Sequence, residues 1–296
     1  MLNYRTDLAI ENKQLYDEQR GCSGDIDGVI MAKIRYDDDI LATRIEIVDE
    51  KGEFALRRPK GKYITLEVNG VIDEVEGIKE RASKAFAAEL KELIKFNYYL
   101  KVLVVGLGND KVTPDALGPY TASKVKVTRH LFMIYEADGD EEMSCVSGFI
   151  PGVTGSTGME TAELIEKVVN ISNPDVVLVI DSLAARDIAR VSTTIQINDT
   201  GISPGGGMGN MRTELSEKTL GKKIIAVGVP TVIDSRTLVM DALGQYLKNH
   251  SEIEKYIEQS GQDMIVTSTD IDQVIKDFSD IIANGINITL HPGIYS

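Results

Sequence analysis

The sequence predicts an α/β protein: a mostly parallel sheet with helices on both faces and a small antiparallel subdomain near the N-terminus. Three observations carry that expectation. From residue 101 onward, continuous apolar runs recur at 102–107 (VLVVGL), 176–180 (VVLVI) and 224–229 (IIAVGV). Runs that are apolar at every position suit strands buried on both faces, as in a parallel sheet. Segments with helical spacing separate them, the alternation that covers such a sheet on both sides. Before residue 75 the pattern changes to turn-bounded alternation, which reads as antiparallel strands.

Taken in order, residues 1–24 are polar and irregular and read as a tail or arm. The runs 40–49 (ILATRIEIVD) and 61–70 (GKYITLEVNG) read as antiparallel strands of a β-rich subdomain spanning about 25–75. Ala82, Ala85, Phe86, Leu90, Leu93 and Ile94 fall at helical spacing and predict a long amphipathic helix over 78–97. Then follow a strand at 102–107, a helix over 114–128 with Pro114 in its first turn, and a strand at 145–150. A helix over 158–170 precedes strands at 176–180, 193–197 and 224–229, and helices over 235–249 and 271–283 complete the chain. The segment 202–210 (ISPGGGMGN) reads as a Gly-rich loop, a lid or a plain connection.

Composition narrows the function classes. The 296 residues are 43% hydrophobic, enough for one sizeable α/β core. No apolar run reaches the roughly 20 residues of a membrane span. The N-terminus has neither the basic nor the apolar region of a secretory signal, so a cytoplasmic, membrane-free protein is expected. Cys22 and Cys145 stand far apart in no metal-like spacing, which suits a reducing compartment. A formal net charge of -14 argues against nucleic acid as a partner. Only three histidines occur, His130, His250 and His291, none in HExxH spacing and none after a predicted core strand. Zinc-protease and Ser-His-Asp chemistry therefore start poorly, and neither a metal nor a cofactor is expected.

Several motif-like stretches lose on inspection. GLGND at 106–110 lacks the third glycine of a dinucleotide turn, and Lys111 follows it. PGVTGSTGMET at 151–161 lacks the phosphate-binding lysine, although a Gly-rich turn onto a helix N-terminus, with Glu160 beside it, can still face an anion or a peptide carbonyl. Asp199-Thr200-Gly201 spells DTG but reads as a turn, and no G-x-S-x-G elbow occurs. Asp115 and Asp181 remain, each placed just past a buried strand at the end where open α/β sheets build sites. Asn109 projects beside the first, and Arg186 and Arg190 follow the second. Each aspartate alone also fits a helix cap. Two adjacent carboxylates share one proton, supplying an acid and a base that could activate water against a peptide carbonyl.

RTDLA (5–9), GNDKVTPDALGP (108–119), PGVTGSTGMET (151–161), DSLAARDIARVSTTIQ (181–196) and GISPGGGMGN (201–210) resemble the germination protease family of spore-forming bacteria, over nearly the whole chain. The resemblance implies an endopeptidase that degrades small acid-soluble spore proteins in the spore core, made as a zymogen and assembled as a homotetramer. It implies a fold similar to hydrogenase maturation proteases, and its two catalytic aspartates fall on Asp115 and Asp181. Substrates of the family are cut after an acidic residue within Thr-Glu-(Phe/Ile)-Ala-x-Glu. Thr6 to Glu11 of this chain (TDLAIE) repeats that pattern, which predicts self-cleavage between Asp7 and Leu8, removing residues 1–7 from a single domain of 8–296. Arg186 and Arg190 are then candidates to hold the acidic side chain, because a guanidinium pairs with a carboxylate, with Asn109 and Glu160 in support. A metal-dependent peptidase and a non-catalytic peptide-binding module remain alternatives.

Overall fold

The computed structural model describes residues 5–205, 212–244 and 264–295. Its strands are β1 (Val29–Arg35), β2 (Ile40–Ile47), β3 (Gly61–Val68), β4 (Lys101–Gly106), β5 (Cys145–Phe149), β6 (Val176–Ala185), β7 (Thr194–Asn198), β8 (Lys223–Asp234) and β9 (Ile265–Thr267). Its helices are α1 (Ala9–Arg20), α2 (Glu50–Leu56), α3 (Ile78–Leu93), α4 (Leu117–Lys124), α5 (Arg129–Ile134), α6 (Thr154–Thr157), α7 (Thr161–Ser172), α8 (Glu217–Leu220), α9 (Ser235–Gly244) and α10 (Ile271–Leu290).

One sheet runs in the order β1-β2-β3-β7-β8-β6-β4-β5, with β9 added to β8. Its centre, β5-β4-β6-β8, is parallel. β7, β3, β2 and β1 continue it antiparallel on one side, so the N-terminal strands extend the same sheet. Adjacent positions on the central strands pack into opposite layers. Val104, Leu178 and Ile180 join Phe86 and Leu90 of α3, Leu117 of α4, and Phe278 and Ile282 of α10. Leu103, Val105, Val177 and Val179 instead meet Ile165 and Val169 of α7. That two-sided burial is why these strands are apolar at every position. A third cluster joins Leu8, Ala9 and Ile10 to Ile45, Ile47, Leu56, Tyr63, Leu183 and Ala185.

The structure departs from the sequence reading in ways that matter for the site. Of the stretch 1–24 read as a tail, residues 5–24 are not a loose arm: α1 begins at Ala9 and docks by its first turn, with Leu8 and Ala9 fully buried. Beyond that turn only Leu15 and Tyr16 are apolar, too few to show a helical period. α2 was missed because its helix is short, although Asp49 caps it by accepting from the N–H groups of Lys51 and Gly52. β6 extends five residues past 180, so Asp181 lies inside the strand and not beyond it. The extension holds because β8, at 12 residues against 10, is longer still and pairs with it up to Ala185↔Ile233, across an irregularity at Leu183/Ala184.

β7 pairs antiparallel to β8 because eight residues (186–193) join it to β6, fewer than a parallel crossover needs. The expected helix 114–128 divides into a 3-10 turn, Thr113–Asp115, and α4, which ends at Lys124, and α5 begins only at Arg129. α3 stops at Leu93, and Ile94 is already extended. α10 runs seven residues past 283 through Gly285, whose missing side chain leaves room for Phe86. The helix predicted to reach 249 is described as far as Gly244, and residues 206–210 of the Gly-rich loop lie outside the described residues. Among the described residues, no helix is long and apolar enough to cross a membrane.

Candidate active site

The two aspartates meet at the carboxyl end of the parallel core, each held by a different device. Asp181 stands on β6 two residues past the last β4–β6 partner but one, with Ile180 paired to Gly106. Its carboxylate accepts the Ser182 N–H at 2.9 Å, and the residue is 5% exposed. Asp115 comes from the loop that leaves β4. Leu107 N–H continues the ladder to the Ile180 carbonyl at 2.8 Å, and Asn109 N–H closes the loop onto the Asp115 carbonyl at 3.0 Å. Gly108 makes that closure possible, with φ +111° and the Asp115 carbonyl 2.0 Å from where a Cβ would stand. The Thr231 hydroxyl donates to the Pro114 carbonyl at 2.7 Å and pins the loop to β8.

Both aspartates line one cleft of about 280 Å³, with Gly152, Val153, Ser182, Ala184 and Arg212. Burial raises the proton affinity of Asp115, opposed by the Asn109 N–H and the charge of Arg212. Asp181 is pushed up much further: burial acts first, and the charges of Asp115 and Asp7 then act in the same direction. Of the two, Asp181 is the one pushed more strongly toward its protonated form. The Ser182 hydroxyl is buried in the same place without a hydrogen-bond partner among the described residues.

Asp7 lines this cleft as well. Its N–H donates to the Ala184 carbonyl at 2.9 Å, and its carboxylate accepts the Ala184 N–H at 2.8 Å. The Arg58 guanidinium holds the Thr6 carbonyl at 2.9 Å, and Arg5 pairs with Asp234 at 3.3 Å. Leu8, next along, is fully buried against α2 and the sheet. The segment around the predicted cut is thus seated in the cleft by its own chain.

The remaining predicted residues distribute differently. Asn109 stands at the loop but uses its side chain locally, accepting the Lys111 N–H at 3.0 Å. Glu160 is the N-cap of α7, and the cleft at that corner is lined by Gly152, Val153 and Thr161. Arg186 pairs with Glu18 at 2.9 Å and Asp241 at 2.7 Å. Arg190 pairs with Glu67 at 2.7 Å and faces Glu11 at 3.8 Å. Both guanidinium groups are buried and tie α1, α9 and β3 to the end of β6. The cation that does stand at the aspartates is Arg212, which follows the Gly-rich segment and has no motif to betray it. DTG is a turn, with Asn198 Oδ1 accepting from Thr200 and Gly201. His291 is a buried structural residue whose Nε2 lies 2.9 Å from the Lys126 carbonyl. Among the described residues, no group of three or more His, Cys, Asp or Glu side chains is arranged to hold a metal ion.

Comparison with known proteins agrees with the motifs. A family model described as germination protease matches residues 7–256. Among curated relatives, the germination protease of Caldanaerobacter subterraneus subsp. tengcongensis is 41% identical, covering 99% of this chain and 96% of its own. That of Clostridium acetobutylicum is 42% identical, over 99% and 97%. That of Bacillus cereus is 35% identical, over 97% and 93%. Among solved structures, a [NiFe] hydrogenase maturation protease, HycI from Thermococcus kodakarensis KOD1, matches 67% of this chain and 99% of its own at 14% identity, with a TM-score of 0.33.

Proposed function

We propose that this chain, which belongs to the germination protease family, is an endopeptidase whose water is activated by Asp115 and Asp181. The observation that carries the mechanism is the sharing of one cleft by two carboxylates of unequal proton affinity, both raised by burial, with a chain segment seated against them. Asp115 takes a proton from water as the water oxygen bonds to the carbonyl carbon before the cut. Asp181 passes its proton to the carbonyl oxygen. On collapse, the C–N bond breaks, the leaving nitrogen takes the proton from Asp115, and a hydroxyl of the intermediate returns one to Asp181. Arg212 offsets the single negative charge that passes from Asp115 to Asp181 during the addition. The same chemistry on the arm would cut Asp7–Leu8 and turn a zymogen into the active enzyme. Family membership further supports small acid-soluble spore proteins of the spore core as substrates and a homotetrameric assembly.

The test is direct. Full-length protein should mature to a chain whose first residue is Leu8, read by N-terminal sequencing. Asp115→Asn and Asp181→Asn, made separately, should each slow maturation and peptide cleavage by roughly 10³-fold while peptide binding persists. A wild-type rate in either variant ends the aspartate-pair mechanism. Loss of activity to a chelator with recovery on one added ion would replace it by a metal-assisted one.

A further inference from the structure

The most informative unassigned feature is Gln196 on β7, 3% exposed and bonded on both sides of the Asp7–Leu8 peptide. Its Nε2 donates to the Asp7 carbonyl at 2.7 Å, and its Oε1 accepts the Ala9 N–H at 2.7 Å. A buried amide can hardly be more fully used by one short stretch of chain. On the other side lies Ala184. Past Ile180, the last residue that β4 pairs, no strand among the described residues pairs the β4-facing edge of β6, and the Ala184 N–H and C=O engage Asp7 there. Gln196 and Asp181 flank Gly228 on β8 in register. The clamp and the acid therefore stand at one level of the sheet, separated by a strand that contributes no side chain there.

We infer that Gln196 and the free edge at Ala184 form the subsite that grips a substrate chain across the bond to be cut, in other proteins as in the arm; this rests on the cleavage reading above. Three of the four contacts go to main-chain atoms, which every peptide offers, as in strand addition to an open edge. The fourth takes an acidic side chain on the Ala184 N–H. That assigns the acidic residue a reader in place of Arg186 and Arg190, whose guanidinium groups are occupied elsewhere. Gln196 is a positioning residue: it fixes the reacting carbonyl and the chain two residues on, and handles no proton.

The experiment pairs the side chain with the atom it holds. Peptides spanning residues 1–14 are made in three forms: all-amide, with an ester replacing the Ala9 N–H, and with an ester at the remote Tyr4 N–H. Self-matured wild-type protein should cleave the Ala9 ester roughly tenfold more slowly in kcat/KM than the amide, with the Tyr4 ester unaffected. Gln196→Met, matured by prolonged incubation, should cleave the amide at least tenfold more slowly and show no further loss on the Ala9 ester. Equal wild-type rates on the amide and the Ala9 ester overturn the assignment without any variant. So does an undiminished ester penalty in Gln196→Met, which would make Gln196 merely structural. Failure of wild-type protein to cut any of the three after Asp7 removes the cleavage reading itself, and this inference with it.

Discussion

Asp181 concentrates the physical tension of the molecule in one carboxyl group. Burial and two neighbouring carboxylates all oppose its ionisation, so its folded proton affinity exceeds that of an unfolded aspartate, whose ordinary value is 3.8. Across the window between 3.8 and that raised value, the folded state binds more protons than the unfolded one. Stability must then fall as pH rises through the window, and the loss persists above it. Asp181→Asn removes the titration and keeps the shape. It should raise Tm at neutral pH by a few degrees, the size expected when about 1–2 kcal/mol is recovered in a chain this long, and flatten the acidic-to-neutral slope. Thermal melts at several pH values check this, and an unchanged slope would contradict the assigned proton. At this scale both aspartates were singled out in the sequence because the chemistry considered dictates a residue type, and the fold brings them to one cleft. Arg212 was not, because a lone arginine in an irregular stretch carries no periodicity or spacing. The pairing of Arg186 and Arg190 with Glu18, Asp241, Glu67 and Glu11 joins residues far apart in the chain, which only the fold brings together.

Elements decide how accurately the pair is placed. The loop from β4 to α4 is a chain of short backbone hydrogen bonds, with Val112 N–H on Asn109 at 3.0 Å and Asp115 N–H on Val112 at 2.8 Å. Gly108 is its hinge. A side chain there meets both a left-handed φ and the Asp115 carbonyl, so Gly108→Ala must push the loop outward. The expected result is a 100-fold or greater fall in kcat against a stability loss of about 1–3 kcal/mol, since the displaced group is the proposed base and the strand beneath stays paired. A variant that loses stability without a comparable loss of kcat would show that loop position is not limiting. The strands themselves were readable because burial on both faces makes them apolar throughout. Their ends were not. Whether β6 stops at Ile180 or reaches Ala185 depends on the length of β8 beside it, which local composition does not encode. The short return from β6 to β7 likewise sets an antiparallel direction that strand patterns alone leave open.

At the scale of the whole molecule, the N-terminal segment joins two roles that the sequence reading had kept apart, arm and domain. Asp7 lines the cleft, while Leu8, Ala9 and Ile10 belong to the buried core. Glu11 anchors the start of α1 by accepting the N–H groups of Arg186 at 2.8 Å and Asp187 at 3.0 Å. A cut at Asp7–Leu8 therefore frees the residues that fill the site and leaves the helix in place, so maturation should open the cleft with little change in secondary structure. Because each copy holds its own arm in its own cleft, the reacting bond is already at high effective concentration. Maturation should follow first-order kinetics, with a half-time unchanged over a hundredfold dilution of the precursor, followed by gel mobility and N-terminal sequencing. The same geometry predicts that Asp181→Asn precursor, mixed with mature wild-type protein, is cut at Asp7 far more slowly than a free peptide of the same sequence. Its own arm keeps that bond inside an inactive cleft, out of reach of a second copy. A half-time that shortens in proportion to concentration, or rapid cutting of the mixed precursor, would mean that the arm leaves its seat before it is cut.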